Sequence, residues 1–141
     1  MIMAETAAFD NLEGLTQMGS DLANFVRRAV IEGVTAHEVE EDIWRRILAM
    51  GRQAFGQFLA AQGDGDVGET IEMDEGEEFR RLAEPHQRIY RSIFGPFELS
   101  RFVYGTREGQ RIEFIPLDAR LELPESEFSY VLQDWAGTHF V

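Results

Sequence analysis

The sequence predicts an α+β protein: an N-terminal helical arm, a small three-stranded antiparallel β-hairpin module and a short C-terminal helix. Three observations predict this. Apolar residues recur at steps of three and four between Leu22 and Leu59, the spacing of a helix face. A glycine- and acid-rich stretch follows. From His86 to Trp135, short alternating apolar runs are separated by glycine and proline, which is strand and turn chemistry. The expected organisation is residues 1–62 as a helical arm for oligomerisation, 63–79 as an acidic connector and 80–141 as a β-rich head.

In the arm, Ser20 caps a first helix with apolar positions Leu22, Phe25, Val26, Ala29 and Val30, and Gly33 ends it. Thr35 opens a second helix, with Glu38 completing a capping box. Its apolar stripe is Val39, Ile43, Ile47, Met50, Phe55, Phe58 and Leu59, ending near Ala61. A helix of that length spans about 39 Å, more than a partner of about a dozen residues covers, and Trp44 widens the stripe. Pairing within the chain, pairing with the arm of a second chain and burial on another part of the protein all remain open. The chain–chain candidates are Val39, Ile43, Ile47, Phe55 and Phe58.

Residues 63–78, GDGDVGETIEMDEGEE, read as a solvated, mobile link with a short strand at Thr70–Met73. The DGDVG unit superficially resembles a calcium loop, but counting from Asp64 puts Glu69 where an EF-hand requires its invariant glycine. In the head, Arg88–Ile93 and Phe97–Tyr104 flank a turn at Gly95–Pro96, Gly105–Gly109 makes a second turn, and Arg111–Ile115 is the third strand. Phe97, Leu99, Arg101 and Val103 share one face. Phe94, Leu99, Val103, Ile112 and Phe114 are the expected core. Leu117–Pro124 is irregular or holds one turn, and Ser126 or Ser129 caps a last helix containing Val131, Leu132 and Trp135.

The chain carries a net charge of −13 and no cysteine, which excludes disulfides, thiolate nucleophiles and cysteine zinc sites. No run of eighteen apolar residues occurs, so no membrane span is expected and the setting is cytoplasmic. The charge is uneven. Residues 1–79 hold 5 arginines and 17 acids, whereas 80–120 hold 8 arginines and 5 acids, a net of +3. Arg88, Arg91, Arg101, Arg107 and Arg111 around the hairpin are therefore candidates for contacting DNA phosphates. His37, His86 and His139 have no ligand-like spacing, and no phosphate loop, dinucleotide fingerprint or nucleophile elbow is present. No catalytic residue, cofactor, metal or small-molecule substrate is expected, and the chain is not read as an enzyme.

Phe94-Gly95 with Leu99, Arg101 and Tyr104, then Pro116-Leu117-Asp118 with Leu121, Leu123 and Pro124, then Ser129-Tyr130, resembles the front part of bacterial insertion-sequence transposases of the ISKra type. That family's patterns are phe-gly-x-x-x-leu-x-arg-x-x-tyr and pro-leu-asp-x-x-leu-gly-leu-pro. The match covers about residues 86–135. Many members carry cysteine pairs around the hairpin; this chain has none, and zinc is not carried over. The family's transposases also have a C-terminal RNase-H-like catalytic domain, which would follow the region seen here. The resemblance implies a noncatalytic N-terminal transposase region that binds DNA ends and oligomerises, with duplex DNA, a second copy or the catalytic domain as partners. The alternative is a protein–protein interaction module without nucleic-acid binding.

Overall fold

The protein's structure, a computed structural model, describes residues 12–74, 76–106 and 113–139. They fall into two units, Met1–Ala61 and Gln62–Val141.

The first unit is an antiparallel helical hairpin. Helix α1 runs Leu12–Glu32 and α2 runs Ala36–Ala61. Gly33 takes φ 68°, a left-handed conformation that costs glycine little, and Val34 N–H donates to the Ala29 carbonyl at 3.0 Å. This is a Schellman closure. Thr35 Oγ1 then accepts from Glu38 N–H at 3.3 Å and caps α2. The helices meet along their length: the Arg46 guanidinium lies over the Phe25 ring at 4.6 Å, and a Cβ at Gly19 would sit 3.9 Å from Met50. Ser20 is not a cap, because α1 begins eight residues earlier. Leu12, Leu15 and Met18 continue the apolar spacing upstream, and packing against the far half of α2 outweighs the poor helix propensity of Gly14 and Gly19. At 21 residues α1 is long enough to cover most of α2, so the expected length mismatch disappears.

The second unit corrects the expected three-stranded module. It holds six short strands in two sheets. Strands β1 (Thr70–Glu72), β2 (Glu78–Arg81), β5 (Tyr104–Gly105) and β6 (Glu113–Phe114) form an antiparallel sheet in the order β1-β2-β5-β6. Strands β3 (His86–Ser92) and β4 (Gly95–Arg101) form a separate hairpin, in register from Ser92↔Gly95 to His86↔Arg101. The turn is Ile93–Phe94, two residues before the expected Gly95–Pro96, and Gly95 supplies the positive φ of 107° as the strand resumes. The expected strand Phe97–Tyr104 divides because Val103, Tyr104 and Gly105 are all buried. Three consecutive buried residues cannot sit on one face of a strand with a two-residue repeat, so the chain changes sheets here. Phe102 N–H donates to the Asp64 carbonyl and Leu82 N–H to the Val103 carbonyl, both at 2.9 Å, satisfying the backbone at the crossing. β6 pairs with β5 and not with the hairpin.

Leu99 and Val103 are buried and Phe94 and Phe114 half-buried, as expected; Ile112 lies outside the described residues. Phe79, Leu82, Tyr90, Tyr104 and Leu117 complete this core. Helix α3 (Pro116–Arg120) starts with proline at its first position, and α4 (Tyr130–His139) is capped by Ser129 Oγ, which accepts from Leu132 N–H at 3.1 Å. After α3, Leu123 N–H reaches the Asp118 carbonyl at 3.0 Å and Glu122 N–H the Ala119 carbonyl at 3.2 Å, a second Schellman closure. Its left-handed residue is Glu122 at φ 51°, the one described non-glycine residue with positive φ. A side chain there costs about 1–2 kcal/mol. Glu122→Gly is therefore expected to stabilise the second unit by roughly 0.5–1 kcal/mol after the added chain entropy of glycine, seen as a higher urea midpoint at unchanged m-value.

Candidate functional site

A polar cluster joins β3, β4 and α3. Arg101 points to the inward face of β4 with Leu99 and is only 9% exposed. Its Nε and Nη2 donate to the two Asp118 carboxylate oxygens at 3.1 and 3.3 Å, and Nη1 donates to the His86 carbonyl at 3.1 Å. Arg88 Nη1 donates to Asp118 Oδ2 at 3.2 Å, while its Nη2 serves the carbonyls of Pro124 at 3.0 Å and Ser126 at 2.8 Å. One carboxylate thus holds two guanidiniums, and the second of them also ties down the turn after α3. An arginine on an apolar strand face requires such a partner, a signal that the assignment of Arg88 and Arg101 to DNA phosphates passed over. Arg101, Asp118, Leu99, Tyr104, Leu117 and Pro124, all within the quoted transposase-like motifs, are spent on holding the fold.

Of the five arginines expected at DNA, Arg88 and Arg101 are thus drawn inward together. Arg91 stays half-exposed, with Nε 3.3 Å from Glu127 Oε1. Arg107 and Arg111 lie outside the described residues. Beside Arg91, its backbone exchanges hydrogen bonds with Glu127 and Ser129 at 2.7 and 2.9 Å, which docks the segment before α4 on the outer edge of β3. Val131 and Trp135, one turn apart on α4, remain exposed.

Part of the acidic stretch, expected to be a mobile link, is folded onto the sheet. Asp64 Oδ1 accepts from Asp66 N–H and Asp66 Oδ1 from Gly68 N–H, each at 3.1 Å. Tyr104, with 0% of its surface exposed, accepts from Val67 N–H at 3.0 Å and donates to the Gly68 carbonyl. Arg81 Nη1 bonds Asp66 Oδ1 at 2.7 Å while its guanidinium lies over Phe102 at 5.3 Å. The turn also needs Gly65: its φ is 75°, and a Cβ there would meet Leu117 backbone at 3.0 Å. The Gly68 N–H, and after it Arg81, hold the Asp66 carboxyl below the usual carboxylate range. Burial pushes the Tyr90 phenol up, with Ser129 opposing.

One open cavity of about 310 Å³ lies beside Asp21, Asn24, Phe25, Arg28 and Arg46, and another of about 280 Å³ beside Glu69, Arg80 and Arg81. Of the arginines that line them, Arg46 is bound to Asp42 at 2.7 Å and Arg81 to Asp66. Among the described residues no group of three or more His, Cys, Asp or Glu is placed to hold a metal, and no helix is long and apolar enough to cross a membrane. His37 lies 3.6 Å from Glu41 on the α2 surface.

The five chain–chain candidates do not share one face. Val39 and Ile43 are half-buried on the side of α2 that meets α1, whereas Ile47 and Phe58 are exposed. Phe55 is half-buried and stacks on Phe58, with ring centroids 5.9 Å apart and planes within 8°. Trp44, 56% exposed, belongs with this second group.

Asp118→Ala leaves two enclosed guanidiniums without their shared carboxylate and is expected to cost about 2–4 kcal/mol. Arg91→Ala is expected to cost less than about 1 kcal/mol. Urea unfolding followed by Trp135 fluorescence in a Trp44→Phe background measures both. For Asp66, the depressed folded pKa means that its contribution to stability is present above the ordinary value of 3.8 and is lost as pH falls through the folded value. A carboxyl NMR titration should place its midpoint below 3.8, and still below it in Arg81→Ala, because the Gly68 N–H remains.

No family model, curated protein or solved structure matches the chain.

Proposed function

We propose that this chain is an assembly and DNA-end-binding head of an insertion-sequence transposase, acting without catalytic residues of its own. The helical hairpin joins protein subunits, and the second unit is the rigid head. The observation that carries the assembly role is the set of large apolar side chains left in water on a two-helix unit, with Val30 78%, Trp44 56% and Phe58 49% exposed. Surface of that kind on a small unit marks a protein contact. Two features support the transposase setting. The motif residues occupy coherent structural roles, and Glu122, at the position where the family pattern has glycine, adopts a glycine-type backbone at φ 51°.

Within this reading, DNA contact falls to Arg91, and to Arg107 and Arg111 outside the described residues, because Arg88 and Arg101 already serve Asp118. The interaction module without nucleic acid is the second reading, favoured by those two committed arginines and the net charge of −13. Binding of the full chain to a duplex carrying the terminal inverted repeat, against a scrambled duplex, separates the two. The expected result is a preference for the repeat whose affinity falls with salt, with the slope reduced by about one unit in Arg91→Ala. No salt-dependent affinity for either duplex at about 50 mM salt overturns the DNA role and leaves the interaction module.

A further inference from the structure

The hairpin's exposed and half-buried apolar and small residues are ordered in a way that selects their occupant. On α2, Trp44, Leu48, Gly51, Phe55 and Phe58 follow one another at alternating steps of four and three. On α1, Thr16, Gly19, Ala23, Val26 and Val30 do the same at steps of three and four. This is the spacing of a helix-packing seam. At about 100° per residue, each seam is turned roughly a quarter circle from the face by which its helix meets the other. Antiparallel helices wind in opposite senses when viewed from one end, so the two quarter turns converge on the same side of the hairpin. The opposite side carries Gln17, Asp21, Arg28, Glu38, Asp42 and Arg45. One side is apolar and the other charged.

The two seams differ in size. That on α2 is bulky, with only Gly51 small, and that on α1 is built of small and β-branched residues. We infer that the apolar side binds a second copy of itself, forming a four-helix bundle in which α2 of each chain packs antiparallel on α1 of the other. A two-fold axis parallel to the helices produces this arrangement. At the heights set by Arg46 over Phe25 and Met50 beside Gly19, Trp44 then covers the partner's Val26, Leu48 the partner's Ala23 and Phe55 the partner's Thr16, while Gly51 comes level with the partner's Gly19. The large residues of each α2 thus meet smaller ones of the partner's α1, and the two glycines allow the closest approach, as a self-complementary interface permits.

Charge and area agree with this occupant. Glu40 is the one acid of the first turns of α2 on the apolar side, and the bundle sets it near the partner's Arg27, whose guanidinium is held by Asn24 at 2.9 Å. Thr16 enters the interface without an unpaired hydroxyl, because it bonds the Leu12 carbonyl at 3.4 Å. Helices about 31 and 39 Å long and about 9 Å apart present roughly 600–700 Å², close to the ~800 Å² per partner of a stable interface. The inference rests on the assembly half of the proposed function and is independent of DNA.

The absence of cysteine permits a direct test. Sedimentation equilibrium of the full chain, without DNA, between about 1 and 100 µM is expected to show twice the 16.1 kDa monomer mass. Ala23→Glu, at an exposed position within the single chain, should give the monomer mass with unchanged helical circular dichroism. An equimolar mixture of Ala23→Cys and Leu48→Cys chains should oxidise to a mixed dimer, while Leu48→Cys alone should not cross-link. A monomer throughout that concentration range overturns the inference. So does an Ala23→Glu variant that remains dimeric, or cross-linking of Leu48→Cys alone, which would mean α2 packed on α2. DNA binding by a monomeric chain would defeat the bundle and leave the DNA role standing; a dimer that ignores DNA would do the reverse.

Discussion

The second unit depends on the Asp118 carboxylate. Without it, two arginines on neighbouring strands would face each other and an apolar core with no countercharge. With it, α3 is locked against the β3–β4 hairpin, and Arg88 extends the lock to the Pro124 and Ser126 carbonyls. The turn held there leads directly into the segment that pairs with Arg91 and into the Ser129 cap of α4. A bidentate guanidinium–carboxylate pair fixes orientation as well as distance, so it selects one docking of a short helix where apolar contact alone would tolerate several. The four-stranded sheet contributes few ladder bonds of its own, since its strands hold only two to four residues.

This use of arginine changes how the charge of the head is understood. A net of +3 over residues 80–120 suggests a phosphate-attracting surface when every arginine is counted as free. Arg81 is paired with Asp66, Arg88 and Arg101 are held inward on the single carboxylate of Asp118, and Arg120 donates to the Gln62 carbonyl at 2.9 Å. The field left for a polyanion comes from fewer, more scattered groups. Any DNA contact through this head must therefore be local, aided by placement on a rigid sheet edge more than by bulk attraction.

The hairpin poses the opposite physical problem. Two helices share one line of contact, and each of their apolar arcs is wider than that line. Among the described residues of the hairpin, only Ala29, Gln57 and Leu59 are buried. Gln57 even lies buried with its amide unpartnered, a sign that this end of the hairpin is not an optimised core. A helix pair of this composition leaves large apolar side chains such as Val30, Trp44 and Phe58 in water.

Local chemistry was legible directly in the sequence. Thr35 with Glu38, Gly33 and Ser129 marked helix ends because capping needs particular atoms within a few residues. The inward face of Phe97, Leu99 and Arg101 followed from alternation over a single strand. Calcium-loop spacing failed on a residue count alone. Tertiary structure decided everything that required a distant partner: that α1 starts at Leu12, that Val103–Gly105 changes sheets, and that Asp66 and Tyr104 fold the acidic stretch down. Above all, it decided that Arg88 and Arg101 belong to Asp118. Sequence periodicity reports which way a side chain points, but hydrogen bonds and ion pairs join residues up to 58 positions apart, whose meeting is set by loop closure and packing and leaves no local signature.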